Sequence, residues 1–109
     1  MKERELRLGQ NEAVYREVNE RVLGINERFG IDDDRVSFIC ECGQLACTER
    51  IDLTVAEYEA VRSSPVRFAL VPGHDDPSVE TVVEQNERFA VVEKLPGGPA
   101  ELAAAEDPR

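Results

Sequence analysis

Three cysteines and the single histidine are the residues of this chain whose types can do chemistry together. Cys40, Cys42 and Cys47 lie within the sequence F-I-C-E-C-G-Q-L-A-C, and His74 lies in the turn-like sequence P-G-H-D-D-P. Thiolate sulfur and imidazole nitrogen are preferred zinc ligands, and a closed tetrahedral zinc site needs four of them. The spacing C-x-C-x4-C followed by a distant histidine therefore predicts a Cys3His zinc site.

Other interpretations of these residues remain open. The cysteines would be small buried hydrophobic residues in one of them, since free cysteine is often buried. His74 would be a turn residue without a ligand role in another, with Asp75, Asp76 or water completing the coordination. If His74 does bind the metal, Asp75 or Asp76 is expected to accept a hydrogen bond from the imidazole and orient it.

A redox sensor is one alternative function for the same thiols. Cys40 and Cys42 would form a disulfide, Cys47 would resolve it, and oxidation would release the zinc. An odd number of cysteines argues against a purely structural disulfide framework, because one thiol would be left over. Clustered cysteines suit a reducing compartment, and the N-terminal sequence lacks an apolar signal-peptide core, so we expect a cytoplasmic protein.

A small zinc-dependent hydrolase is the other alternative. It would need an open coordination position and a nearby general base, for which Glu41, Asp75 and Glu80 are candidates. The sequence contains no H-E-x-x-H, Walker, dinucleotide-binding or nucleophile-elbow motif. The motif content therefore favours a non-catalytic zinc-binding module that acts through protein contacts, in a regulatory role.

The charge balance limits the classes of partner. The chain has 13 basic and 23 acidic side chains, a formal net charge of −10 and a pI of about 4.5. Binding to nucleic-acid phosphates depends on lysine and arginine, so we do not expect general nucleic-acid binding. No stretch approaches the ~18 apolar residues that a bilayer-spanning helix needs, so we do not expect a membrane protein.

The segment before the cysteines is predicted to be an amphipathic helix over residues 10–29. An apolar stripe recurs at helical spacing in this segment: Val14, Val18, Val22, Ile25 and Phe29. The stripe either packs against its own domain or is a surface for an unknown protein partner or a second copy of the chain. Gly30 is predicted to stop the helix, and the acidic residues 32–34 to connect it to the next element.

The rest of the chain is predicted to be a small, mainly antiparallel sheet with one short helix inserted. Thr54 and Glu57 have the spacing of a capping box that starts this helix, with Tyr58 and Val61 facing inward. The strand-like runs are residues 36–40, 49–53, 67–71, 79–84 and 89–94. The predicted fold class is therefore α+β, stapled by zinc.

The predicted domain organisation is a single unit with loose ends. Residues 1–9 form a flexible lead-in, residues 10–95 a zinc-binding α+β domain, and residues 96–109 a flexible tail with one helical turn at 100–106. A chain of 109 residues buries only a modest core. Closing a metal site across the 26 residues between Cys47 and His74 would stabilise such a fold.

Four sequence segments together resemble a family of small uncharacterised actinobacterial proteins with the pattern F-x-C-E-C-G … C … P-G-H. They are F-I-C-E-C-G, I-D-L-T-V-A-E-Y-E-A-V-R, P-V-R-F-A-L-V-P-G-H and V-V-E-K, and they cover about residues 11–94. The resemblance implies one domain and no specific activity. Arg62 and Arg67, which lie in these segments, would either offset the charge of a three-thiolate site or pair with Glu57 and Glu59, and we expect the pairing.

Overall fold

The computed structural model describes residues 1–29 and 34–109, so the predicted stop at Gly30 and the acidic residues 32 and 33 lie outside the described residues. The helices in the described residues are α1 (Glu3–Arg28), α2 (Val55–Arg62) and α3 (Gly98–Ala105). The strands are β1 (Val36–Ile39), β2 (Arg50–Leu53), β3 (Arg67–Leu70), β4 (Glu80–Gln85) and β5 (Ala90–Lys94).

The strands form two antiparallel sheets. In the first, β1 and β2 pair with Val36 opposite Leu53 and Phe38 opposite Ile51. In the second, β5 lies between β3 and β4 and is antiparallel to both. The predicted α+β class is confirmed, with a short helix inserted between β2 and β3, although the strands form two sheets where one was predicted.

The inserted helix α2 begins at the predicted capping box. Thr54 Oγ1 accepts a hydrogen bond from the backbone amide of Glu57 at 3.1 Å, and the Glu57 carboxylate accepts one from the Thr54 amide at 2.8 Å. These bonds satisfy two amides that the first turn of a helix leaves without partners. The predicted inward positions of Tyr58 and Val61 are confirmed, and the Tyr58 ring stacks on Phe38 with 4.4 Å between ring centres.

Helix α1 begins at Glu3, well before the predicted start of the helix at residue 10. Its first turns pack against later parts of the chain. Leu8 is buried, and a side chain on Gly9 would meet Leu102 of α3, because an added Cβ would lie 2.5 Å from Leu102 Cδ2. Such tertiary contacts stabilise helical structure in a segment whose charge pattern alone predicts a loose lead-in.

Half of the buried residues of α1 are polar or charged. Its buried residues are Leu8, Glu12, Ala13, Arg16, Asn19 and Leu23. The exposed fractions along the predicted apolar stripe are 56% at Val14, 40% at Val18, 54% at Ile25 and 73% at Phe29. The prediction that the stripe packs against its own domain is therefore wrong, except at Val22, which is partly buried. None of the helices in the described residues has both the length and the apolar character needed to cross a membrane.

The C-terminal segment carries a longer helix than the single turn predicted at residues 100–106. Helix α3 has eight residues, and its Ala103 is buried. The Ala103 carbonyl accepts a hydrogen bond from Arg16 of α1 at 2.8 Å. Arg109 donates to Glu20 at 2.8 Å and to Glu59 at 3.0 Å. These contacts join α3 and the last residue to the rest of the fold.

Replacing Thr54 by alanine should lower the free energy of unfolding by about 1 kcal/mol, because the Glu57 amide loses its acceptor. Urea unfolding followed by circular dichroism would measure the change. Ser63→Ala is the matched control, since the exposed Ser63 hydroxyl donates to the Ala60 carbonyl at the other end of α2. Equal unfolding midpoints for Thr54→Ala and wild type would contradict the role of the cap.

Candidate metal centre

The four predicted metal ligands meet at one place in the fold. The ligand atoms that lie within 4.8 Å of one another are those of Cys40, Cys42, Cys47 and His74. His74 Nδ1 is 3.6 Å from Cys40 Sγ and 3.7 Å from Cys47 Sγ. Zinc bonds of about 2.3 Å to sulfur and about 2.0 Å to nitrogen give a sulfur–nitrogen edge of roughly 3.5 Å in a tetrahedron. The donor set and its spacing therefore fit a tetrahedral metal ion.

Residues 40–47, here named the cysteine turn, connect β1 to β2. The backbone amide of Cys40 donates to the Glu49 carbonyl at 3.1 Å, which continues the β1–β2 pairing to the first ligand. The Cys47 amide donates to the Gln44 carbonyl at 3.0 Å, which closes the turn before the third ligand. Both ligands are therefore placed by the hairpin and its own turn.

Gly43 packs the cysteine turn against α1. Its φ of +78° is in the left-handed region, which glycine adopts without strain. An added Cβ would lie 2.7 Å from Glu12 Cγ and 2.9 Å from the Leu8 carbonyl oxygen. The Asn11 side chain donates to the Gly43 carbonyl at 3.1 Å. A side chain at position 43 would therefore separate α1 from the turn.

His74 follows β3 and presents its Nδ1 to the thiols. Its backbone amide donates to the Val71 carbonyl at 3.0 Å, which forms the turn. Its Nε2 lies 3.0 Å from Glu49 Oε2. A carboxylate on the outer nitrogen of a ligating histidine fixes the tautomer and orients the ring. Glu49 therefore leaves Nδ1 as the nitrogen that faces the sulfur atoms.

The prediction that Asp75 or Asp76 orients the His74 ring is wrong, because Glu49 lies in that position. Asp76 instead accepts hydrogen bonds from Arg4 at 3.1 Å and from the Ser78 hydroxyl at 2.6 Å. Asp75 and Asp76 adjoin His74 in the sequence, whereas Glu49 is distant in the sequence and lies in the connection between the paired strands β1 and β2. The nearest signal in the sequence is that Glu49 follows Cys47 by two positions, at the start of the second strand.

The thiols differ in burial. Cys40 and Cys42 are buried and Cys47 is partly exposed. Burial raises the pKa of the Cys40 thiol and that of the Cys42 thiol above their ordinary values. Backbone amides oppose this effect, since Val71 donates to Cys40 Sγ at 3.2 Å and Gln44 donates to Cys42 Sγ. Two buried thiolates also repel each other, so a bound cation would be needed to hold both in the ionised form.

Glu41 joins the cysteine turn to three other elements. Glu41 lies between Cys40 and Cys42 in the sequence, and its side chain is fully buried. Oε2 accepts hydrogen bonds from the Tyr58 hydroxyl on α2 and from Asn19 on α1, the latter at 2.8 Å. Oε1 accepts from the Ala69 amide on β3 at 2.9 Å, and the Glu41 amide donates to the Ala69 carbonyl at 2.9 Å. The ligands on either side of Glu41 are positioned by these bonds.

Asn19 extends this network to β1. Its side-chain oxygen accepts from the Ile39 amide at 2.9 Å, and its side-chain nitrogen donates to the Ile39 carbonyl at 2.9 Å. One amide side chain therefore pairs with the backbone of β1 as a neighbouring strand would. Burial raises the pKa of Glu41, and the hydrogen bonds from Tyr58, Asn19 and Ala69 oppose that rise. Neither Glu41 nor Asn19 is predicted from the sequence to support the turn in this way.

Glu12 lies beneath the cysteine turn and shares Lys94 with Glu80. Lys94 Nζ donates to Glu12 and, at 2.7 Å, to Glu80, and all three side chains are buried. Burial raises the pKa of Glu12 to about 8, against the attraction of Lys94. Two of the three candidate hydrolase bases, Glu41 and Glu80, are thus buried and bonded to partners within the fold.

The expected pairing of Arg62 and Arg67 with Glu57 and Glu59 is wrong. The observed ion pairs are Arg62–Glu20, Arg62–Asp107, Arg67–Glu93, Glu57–Arg88 and Glu59–Arg109. Most of these pairs join residues far apart in sequence, on α1, the strands and the C-terminal segment. Local spacing within α2 therefore could not predict them.

A cavity of about 430 Å3 borders the exposed side of the centre. Its lining includes Cys47, Glu49 and His74, and the remaining lining residues are Gln44, Ala46 and Thr48. Solutes therefore reach Cys47 and the outer face of His74 more easily than the two buried cysteines.

A scan against protein-family models finds no match, and searches of curated proteins and of solved structures find none either. The resemblance to the actinobacterial family therefore stays a prediction. Function has to be inferred from the fold and the site.

Replacing Glu41 by glutamine should lower the free energy of unfolding by about 1–3 kcal/mol. The amide group would face either the Ala69 amide or the Asn19 side chain, so one donor would lose its acceptor in either orientation. Urea unfolding would measure the loss, with the exposed Glu87→Gln as control. A change within about 0.5 kcal/mol of wild type would show that these bonds do not hold the turn.

Replacing Glu12 by glutamine should remove part of the pH dependence of stability. The folded-state pKa of about 8 lies above the ordinary value of 4.5. The stability contributed by this shift is complete below pH 4.5 and is lost as pH rises towards 8. The free energy of unfolding of wild type, relative to Glu12→Gln, should therefore decrease between pH 5 and 8, by at most about 1.4 kcal/mol per pH unit.

Urea unfolding of both proteins across this range measures the difference for Glu12. Glu17→Gln on the same helix is the control, since the Glu17 side chain is mostly exposed and pairs with the exposed Arg21. Wild-type and Glu12→Gln curves that stay parallel across the range would contradict the raised pKa.

Proposed function

We propose that this chain is a non-catalytic zinc-binding module with a closed structural site formed by Cys40, Cys42, Cys47 and His74. The observation that carries the proposal is the meeting of four ligand atoms within 4.8 Å of one another. Three sulfurs and one nitrogen would fill all four coordination positions of a structural zinc ion and leave none for water. Thiolate ligands favour zinc over magnesium or calcium, which prefer oxygen.

Zinc in this site would act as a cross-link between the two sheets. The cysteine turn belongs to the β1–β2 hairpin, and His74 follows β3 of the other sheet. In the proposed role the chain is a cytoplasmic regulatory module that acts through protein contacts, because thiolate ligands are preserved in a reducing compartment. In this role the partly exposed Glu49 carboxylate would accept a hydrogen bond from His74 Nε2 and hold the imidazole ring in its ligating orientation.

A thiol redox sensor is the second candidate, favoured by the unequal exposure of the thiols. Cys47 is partly exposed beside the 430 Å3 cavity, whereas Cys40 and Cys42 are buried. Hydrogen peroxide would oxidise two thiols to a disulfide and itself be reduced to water, and loss of two thiolate ligands would release the metal. Reversible zinc release by mild peroxide, restored by a thiol reductant, would favour this function over a purely structural site.

Protein purified without added metal or a histidine tag should contain about one zinc per chain. Its three thiols should stay unreactive towards a thiol reagent until a chelator removes the metal. Elemental analysis and thiol titration measure both quantities. Metal-free protein with three freely reactive thiols would exclude the zinc site.

Replacing His74 by alanine should lower zinc affinity and the melting temperature of the zinc-loaded protein, because the ion loses one of four ligands. Competition with a chromophoric chelator measures the affinity. Asp75→Ala is the control, since it changes the adjacent residue and keeps all four ligands. Unchanged affinity and melting temperature in His74→Ala would remove this residue from the site.

A further inference from the structure

Helix α1 places its apolar side towards solvent. In the described residues, four of the eight large apolar side chains that are exposed lie on its stripe: Val14, Val18, Ile25 and Phe29. Single exposed apolar residues are common, but a continuous row at helical spacing marks a contact surface. The fold buries Glu12, Arg16 and Asn19 of this helix, at a cost in desolvation, while the four stripe residues stay exposed among the described residues.

The stripe has the periodicity of a coiled-coil seam once the half-buried Tyr15 is included. The seam positions are Tyr15, Val18, Val22, Ile25 and Phe29, with alternating spacings of three and four residues. This is the a–d pattern by which one helix packs along another. At 1.5 Å per residue the seam is about 21 Å long, which is two heptads of contact.

The two edges of the seam differ. On one edge Asn19 is buried and bonds to the Ile39 carbonyl of β1, so the body of the protein lies there, and the partly buried Asn26 bonds to the Val22 carbonyl of its own helix. On the open edge lie Arg21 and Arg28, each three residues after a stripe residue. Arg21 pairs with Glu17 of its own helix, at 3.3 Å with both side chains exposed, and such a pair is weak.

The charges on the open edge argue against a second copy of this chain as the occupant. In an antiparallel pair of α1 helices, Arg21 of one copy would face Arg21 or Arg28 of the other. In a parallel pair, the edge carrying Arg21 would have to approach the edge carrying Asn19, which β1 already covers. Repulsion between like charges disfavours the antiparallel pair, and steric exclusion disfavours the parallel pair. The occupant of the seam is therefore a different protein.

We propose that this seam binds an amphipathic helix of another protein, with apolar residues at its a and d positions and aspartate or glutamate facing Arg21 and Arg28. This inference rests on the protein-contact part of the proposed function and is independent of the metal. Charge complementarity along the open edge would set the orientation of the partner helix, and the apolar seam would supply the affinity.

Two synthetic helical peptides of about three heptads test the proposal, both with leucine at a and d. One carries glutamate at e and g and the other lysine. The glutamate peptide should bind the zinc-loaded protein at least about tenfold more tightly by fluorescence anisotropy, and added salt should weaken its binding. Ile25→Asp should abolish binding, whereas Val83→Asp, which changes an exposed apolar residue on β4, should leave the dissociation constant unchanged.

The charge-reversed protein Arg21→Glu/Arg28→Glu gives the sharpest outcome, because its preference should change to the lysine peptide. Equal binding of both peptides, binding that survives Ile25→Asp, or no binding of the glutamate peptide would overturn the proposal. A concentration-dependent dimer that sedimentation detects and Ile25→Asp abolishes would assign the seam to a second copy instead. Zinc content measured on the same samples separates a failure at this surface from a failure of the metal site.

Discussion

Burying a carboxylate is costly unless donors satisfy its oxygens, and at Glu41 both oxygens accept hydrogen bonds from other elements of the fold. The donors come from α1, α2 and β3 through Asn19, Tyr58 and Ala69. All three elements must therefore be in place together before the chain between the first two cysteines can be buried. The candidate metal ligands on either side of Glu41 gain their positions from this polar network.

Buried polar side chains also attach α1 to the rest of the fold. Arg16 is fully buried, donates to the Pro65 and Ala103 carbonyls at 2.7 and 2.8 Å, and lies 4.5 Å from the centre of the Phe68 ring. Burial lowers its pKa, which expresses the cost of removing the guanidinium from water.

The features that were predictable from the sequence are those encoded over a few residues. The capping box at Thr54, the strand pattern and the ligand set of the metal centre depend on residue type and short spacing. The orientation of α1 was not predictable, because apolar periodicity identifies a face and leaves open what covers it. Glu49 was missed for a related reason: only strand pairing brings it to His74.

The contact between Gly43 and α1 has an evolutionary consequence. Any larger residue there would collide with Leu8 and Glu12, so a change at position 43 could be accepted only with a compensating change on the helix. The glycine and the helix face should therefore vary as a unit in divergent sequences, even where surface loops have lost all similarity. A distant homologue would be recognised by that coupled pair, a glycine after the second cysteine and a glutamate some 30 positions before it.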